Sequence, residues 1–140
     1  MASNASNASN DAGWNRDAEG NWLVPVRQFL RMCQRNRQRV KVADSTSVEL
    51  TGGDLLLRTL VLRRLLRREV FGEERNIGLL LPPSVGGVVA NAAVLLDRRV
   101  PVNLNYTVSS EVLNLCVARG KIRQVVTSQK VLERFSNLRL

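Results

Sequence analysis

Hydrophobic positions along this chain fall into blocks whose spacing changes from one block to the next. Val26, Phe29, Leu30 and Cys33 recur at i, i+3, i+4 and i+7, which predicts a helix from Val26 to about Arg37. Arg27, Arg31 and Arg35 fall on its opposite side. Arg39 to Ala43 and Val48 to Leu50 alternate with period two around the turn-rich Asp44-Ser45-Thr46-Ser47, a hairpin signature. Thr51-Gly52-Gly53-Asp54 opens a second helix in the manner of a capping box, with Asp where Glu or Gln is usual. That helix has apolar residues at 55, 56, 57, 60, 61, 62, 65 and 66, arginines on its other side, and Phe71-Gly72 as its stop.

The second half alternates short apolar runs with helix-length segments. Ile77 to Leu81 is stopped by Pro82-Pro83, Val85 to Leu96 is long enough for a helix, and Asp97-Arg98-Arg99 separates it from Val100 to Leu104. Continuous apolar runs with tight connections are what strands of a parallel sheet look like, since helices cover both faces. The expected elements are strands at 77–81, 100–104 and 123–127 and helices at 84–96, 109–119 and 128–135. Ser109 or Ser110 caps the helix carrying Glu111 in its first turn, and Gly120 ends it. The expected fold class is therefore α/β: an N-terminal hairpin with helices, then a βαβαβα parallel, Rossmann-like half-sheet with right-handed crossovers. The last helix reaches Leu140 with no closing strand or covering layer, so 22–140 reads as a cut domain.

Charge changes the picture in the first half only. The net charge is +9, and six basic residues lie between Val26 and Lys41 without an acid. Six more arginines lie between Arg58 and Arg75, whereas Ile77 to Thr107 carries only Asp97, Arg98 and Arg99. The chain has no histidine, which removes Ser-His and Cys-His nucleophiles and most zinc sites. Cys33 and Cys116 lack metal-ligand or CxxC spacing and read as buried thiols of a reducing compartment. Residues 1–21, with Ala-Ser-Asn three times near the start, read as a disordered low-complexity tail rather than a signal peptide, and the expected location is the cytoplasm.

Two segments resemble the front of the AMP-forming acyl ligases, the adenylate-forming superfamily. Val42-Ala-Asp-Ser-Thr46 with Leu50-Thr-Gly-Gly-Asp-Leu55 is similar to the family's hairpin and its "LTYGEL"-type motif. Asn76 to Thr107, continuing into Ser110-Glu-Val-Leu-Asn114, is similar to the "LLLPPS…VPVNLNYT…E.LN" region. The wording resembles most the fatty-acyl branch, ligases for acyl carrier protein found beside lysophospholipid acyltransferases, which leaves room for membrane association within a larger acyltransferase fusion. The resemblance implies that 22–140 is a truncated N-terminal subdomain. It also implies a complete enzyme that uses ATP and Mg²⁺ to make an acyl-adenylate and passes the acyl group to carrier protein or coenzyme A. The family's Ser/Thr/Gly-rich phosphate loop, ribose-binding Asp and catalytic Lys have no counterpart in this sequence. No residue inherits a catalytic, cofactor-binding or metal-binding role, and the fragment itself is expected to be inactive.

Several features have plainer readings beside the functional ones. Gly86-Gly87 follows a strand where phosphates are often cradled, but close helix–sheet packing explains it better. Tyr106 and Thr107 stand where open α/β sheets form ligand crevices, although turn formation before a helix is the simpler role. Glu73-Glu74 is adjacent in sequence and reads as a loop, not an acid/base pair. The basic face of Arg27, Arg31 and Arg35 is a solvated face or, on the family reading, a docking surface for the acidic acyl carrier protein. No aromatic platform supports nucleic-acid binding. Two alternatives remain: a non-catalytic basic interaction module, and a small membrane-anchored protein using the uncharged Asn76 to Leu96.

Overall fold

The computed structural model of the chain describes residues 25–69 and 74–134; the expected disordered tail and the Phe71-Gly72 stop lie outside them. The elements are α1 (Pro25–Arg35), β1 (Val40–Ala43), β2 (Glu49–Thr51), α2 (Gly52–Glu69), β3 (Asn76–Leu80), α3 (Val85–Leu96), β4 (Val100–Asn103), α4 (Ser110–Arg119), β5 (Val125–Thr127) and α5 (Gln129–Arg134). Strands β1 and β2 form an antiparallel hairpin, and β3, β4 and β5 form a parallel sheet in the order β4-β3-β5. The expected α/β architecture is present, with element ends within about two residues of their expected places.

Local chemistry explains the joints. The hairpin turn is closed by Asp44, whose Oδ1 accepts from the backbone N–H and the hydroxyl of Thr46 at 2.9 and 2.6 Å. The turn also needs a left-handed residue, Ser47 at φ 61°. At the start of α2, Thr51 Oγ1 accepts from the Asp54 N–H at 3.2 Å and donates to Asp54 Oδ2 at 2.6 Å. Asp54, one methylene shorter than Glu, thus takes the hydroxyl of the cap. Gly52 and Gly53 tie this junction to the end of α1: Gly52 N–H donates to the carbonyls of Asn36 and Arg39, and Gly53 N–H to that of Arg37.

The central strand β3 places its side chains alternately on two faces. Ile77 and Leu79 meet Ala90 and Val94 of α3, with Leu62 and Leu66 of α2 packed behind them. Leu80, on the other face, joins Leu104, Leu113 of α4, Ile122 and Val131 of α5. A third cluster joins Cys33 of α1 to Leu50, Leu55, Val85 and Val89. Both faces of β3 are therefore covered. The open edges are real among the described residues: β4 and β5 each pair on one side only, with β3.

Four expectations change, while Gly120 ends α4 where the sequence places it. Cys33 is buried but Cys116 is exposed. Gly120 ends α4 at a right-handed φ of −74°, and the left-handed residue is Lys121 at φ 48°. Gly120 is needed there for space, since a Cβ would stand 3.0 Å from the Cys116 carbonyl oxygen and 3.1 Å from Ile122. Gly86 and Gly87 do not meet the sheet: a Cβ on Gly86 meets only Ser84 Oγ at 3.7 Å, and one on Gly87 meets the Pro82 carbonyl at 3.0 Å. Half of the apolar positions of α2 face outward, with Leu57, Leu60, Val61 and Leu65 all exposed. Asn76 to Leu96 is a strand, a turn and a helix, and no helix among the described residues is long and apolar enough to cross a membrane. This overturns the membrane-anchor alternative for that segment.

Candidate functional site

In open parallel sheets, ligands bind in the crevice beyond the carboxyl ends of the strands. In this chain that end is built by the segment after β3, Leu81-Pro82-Pro83-Ser84, and by Asn103 at the end of β4. Together with Gly87 and Asn91 of α3 they line a crevice of about 450 Å³. Its polar groups are already engaged. Asn91 and Asn103 pair through both amides at 3.0 Å, and Asn91 Nδ2 also donates to the Gly87 carbonyl at 2.9 Å. Ser84 caps α3, its Oγ accepting from Gly87 N–H at 3.2 Å and donating to the Pro82 carbonyl at 3.1 Å. Among the described residues lining the crevice there is no acid or base.

The helix N-terminus, where a phosphate would bind, is occupied from within the chain. The Val85 N–H donates to Asp44 Oδ2 at 3.0 Å, so the hairpin turn supplies the negative group favoured at the positive end of α3. This disposes of the phosphate reading of Gly86-Gly87. Hydrogen bonds from the Thr46 side chain and the Val85 N–H lead in lowering the Asp44 carboxyl from 3.8 to about 2. A carboxyl whose folded value is depressed stabilises the fold above its unfolded value and stops doing so as pH falls through the folded one. The parent chain should therefore lose stability between about pH 4 and pH 2, and Asp44→Asn should flatten that slope while lowering the melting temperature at neutral pH. An unchanged acid limb in scanning calorimetry would contradict the latch.

Other candidate residues have structural roles. Thr107 donates through its N–H and hydroxyl to Asn105 Oδ1 at 2.9 and 2.7 Å, a turn leading into α4, while Tyr106 packs against the Leu80–Leu113 cluster. Ser109, rather than Ser110, caps α4, accepting from Val112 N–H at 3.4 Å. Glu73 lies outside the described residues, and Glu74 is tied to Arg123 at 3.3 Å. No group of three or more His, Cys, Asp or Glu among the described residues could hold a metal ion.

One polar centre was not foreseen from the sequence. Asp97, read as part of a polar break, has a side chain only 6% exposed, which faces Arg63 and Arg67 of α2 at 3.5 and 3.2 Å and Arg99 at 3.0 Å. Arg99 also donates to the Glu74 carbonyl. The carboxylate pins α2 to the α3–β4 turn. The available signal was its isolation: it is the only acid between Ile77 and Thr107, in a chain rich in arginine.

The basic face of α1 is present as a surface. Arg27, Arg31 and Arg35 are exposed, while Phe29, Met32 and Cys33 turn inward to the core.

No known family profile matches the sequence. The fold, however, recurs in solved structures. Over 81% of its length the chain is similar to a benzoate CoA ligase from Burkholderia xenovorans LB400, with a TM-score of 0.69 and 20% identity, covering 23% of that protein. It is similar to the N-terminal subdomain of Klebsiella oxytoca NpsA in complex with 3-hydroxybenzoyl-AMSN, at TM-score 0.68 and 14% identity over 77% of this chain and 31% of that one. The N-terminal domain of FACL13 from Mycobacterium tuberculosis is similar at TM-score 0.65 and 17% identity, with 78% of this chain and 29% of that one covered. The chain thus shares the fold of part of these structures, and it spans between about a quarter and a third of their length.

Proposed function

We propose that this chain is the front of an AMP-forming fatty-acyl ligase and that its own role is scaffolding. The observation that carries the reading is the coincidence of two likenesses on the same residues. The fold agrees with a CoA ligase over 81% of the chain, and the wording from Asn76 to Asn114 resembles the fatty-acyl branch of that superfamily. In the complete enzyme a carboxylate, a poor electrophile, attacks the α-phosphate of ATP and releases pyrophosphate. The resulting acyl-adenylate then gives its acyl group to a thiol of carrier protein or coenzyme A. ATP and Mg²⁺ belong to that enzyme. The groups present at the crevice of this chain, two paired amides and a capping serine, fit the wall of such a site and not its chemistry.

The isolated chain should show no fatty-acid-dependent ATP–pyrophosphate exchange, and measured exchange would refute the scaffolding role. The exposed Arg27, Arg31 and Arg35 on one helix support a carrier-protein docking face. Binding to an acidic acyl carrier protein should weaken steeply with salt, and the triple alanine variant should lose about tenfold in affinity. Binding that ignores both changes would remove that partner. A second reading, a basic interaction module without catalysis, is favoured by the coverage of both β3 faces, which gives the chain a core of its own. A saturable acidic partner other than a carrier protein would support it.

A further inference from the structure

We propose that the outer face of α2 is a membrane-surface site, with Leu57, Val61 and Leu65 resting in anionic phospholipid and Arg58, Arg64 and Arg68 beside them on headgroup phosphates. The proposal does not depend on the ligase reading. Leu57, Val61 and Leu65 are 62%, 53% and 45% exposed. Spaced i, i+4 and i+8, they form one ridge along the helix. Rotation of the helix cannot hide them, because Leu55 and Thr59 anchor its other side at 1% and 0% exposure. Leu55 to Arg68 holds five arginines and no acid, so the exposed apolar ridge lies in a cationic surface.

Charge and shape select the occupant. A second copy meeting the same face would set Arg58, Arg64 and Arg68 against their own equivalents, and like charges at close range oppose association. Among the described residues, the depression beside Val61 and Leu65 is formed by α2 alone, with Arg64, Arg67 and Arg68 as its walls, and no second described helix makes a groove for a partner helix. A flat anionic layer can receive a lone ridge. Arg67 is held by Asp97 at 3.2 Å, which fixes the helix beneath the face, and the Arg68–Glu69 pair is exposed on both sides and readily exchanged for phosphate.

The test is co-sedimentation with vesicles of phosphatidylcholine, with and without about one third phosphatidylglycerol. A Val61→Cys probe carrying an environment-sensitive fluorophore, in a Cys116→Ser background because Cys116 is also exposed, reads insertion directly. Binding to the anionic vesicles alone is expected, with a blue shift of the probe. Leu57→Gln with Val61→Gln should lower partition by about tenfold while leaving the circular dichroism and melting temperature unchanged. Arg58→Gln with Arg64→Gln should do the same, whereas replacing Arg27, Arg31 and Arg35 should not. Absence of binding overturns the proposal. So does binding indifferent to Leu57 and Val61, or a dimer in light scattering that those same substitutions dissolve.

Discussion

Gly52→Ala should destabilise the fold by about 3 kcal/mol, among the larger effects available to a single methyl group. A Cβ at this position would stand 2.6 Å from the Asn36 carbonyl oxygen and 2.7 Å from that of Cys33. Both are backbone atoms at the end of α1, so neither can swing aside. The junction cannot open either, because the Gly52 N–H donates to the Asn36 and Arg39 carbonyls at 3.2 and 3.0 Å. Gly86→Ala is the matched control. With only Ser84 Oγ at 3.7 Å in reach and a helical backbone, it should be neutral or stabilising by up to about 0.5 kcal/mol. Urea unfolding followed by circular dichroism distinguishes the two; equal midpoints would deny the close approach.

Asp97→Ala should cost a similar amount, about 3 kcal/mol. Removing one partner of a buried ion pair leaves the other charge without hydration or compensation, at about 3–5 kcal/mol. Here the lower end applies, since the Arg67 side chain is 64% exposed and recovers water, while the Arg99 side chain at 18% and the buried Arg63 Nε do not. Arg67→Ala, by the same reasoning, should cost less than about 1 kcal/mol. Because the carboxylate is screened from solvent, the Asp97→Ala deficit should persist at high salt. A loss that disappears in concentrated salt would make this an ordinary surface pair.

The element sequence was readable because its punctuation is strong. Pro82-Pro83, the Asp97–Arg99 break and Gly120 each fall at an element end, and the Thr51 cap begins α2 where the sequence places it. Three things were not readable, each for a physical reason. Strand order is non-local: nothing near Val125 states that it pairs with Gly78 rather than with β4. Periodicity shows that Leu57 and Leu55 are both apolar, but not that one is covered and the other bare. The role of Asp44 depends on Val85, 41 positions away, and that of Asp97 on arginines of α2, so spacing rules that reach one helical turn do not find either. The crevice could be placed at the strand ends, while the engagement of its amides could not.

The position of β3 between two later strands has a consequence for biogenesis. As the nascent chain leaves the ribosome, Ile77 to Leu80 emerges with both hydrogen-bonding edges bare, and neither neighbour exists until residues 100–103 and then 125–127 have been made. For that interval the stickiest strand of the protein is a template for any extended peptide nearby. Chaperones that hold short aliphatic stretches should therefore be captured at this site during translation, and released once β5 has arrived.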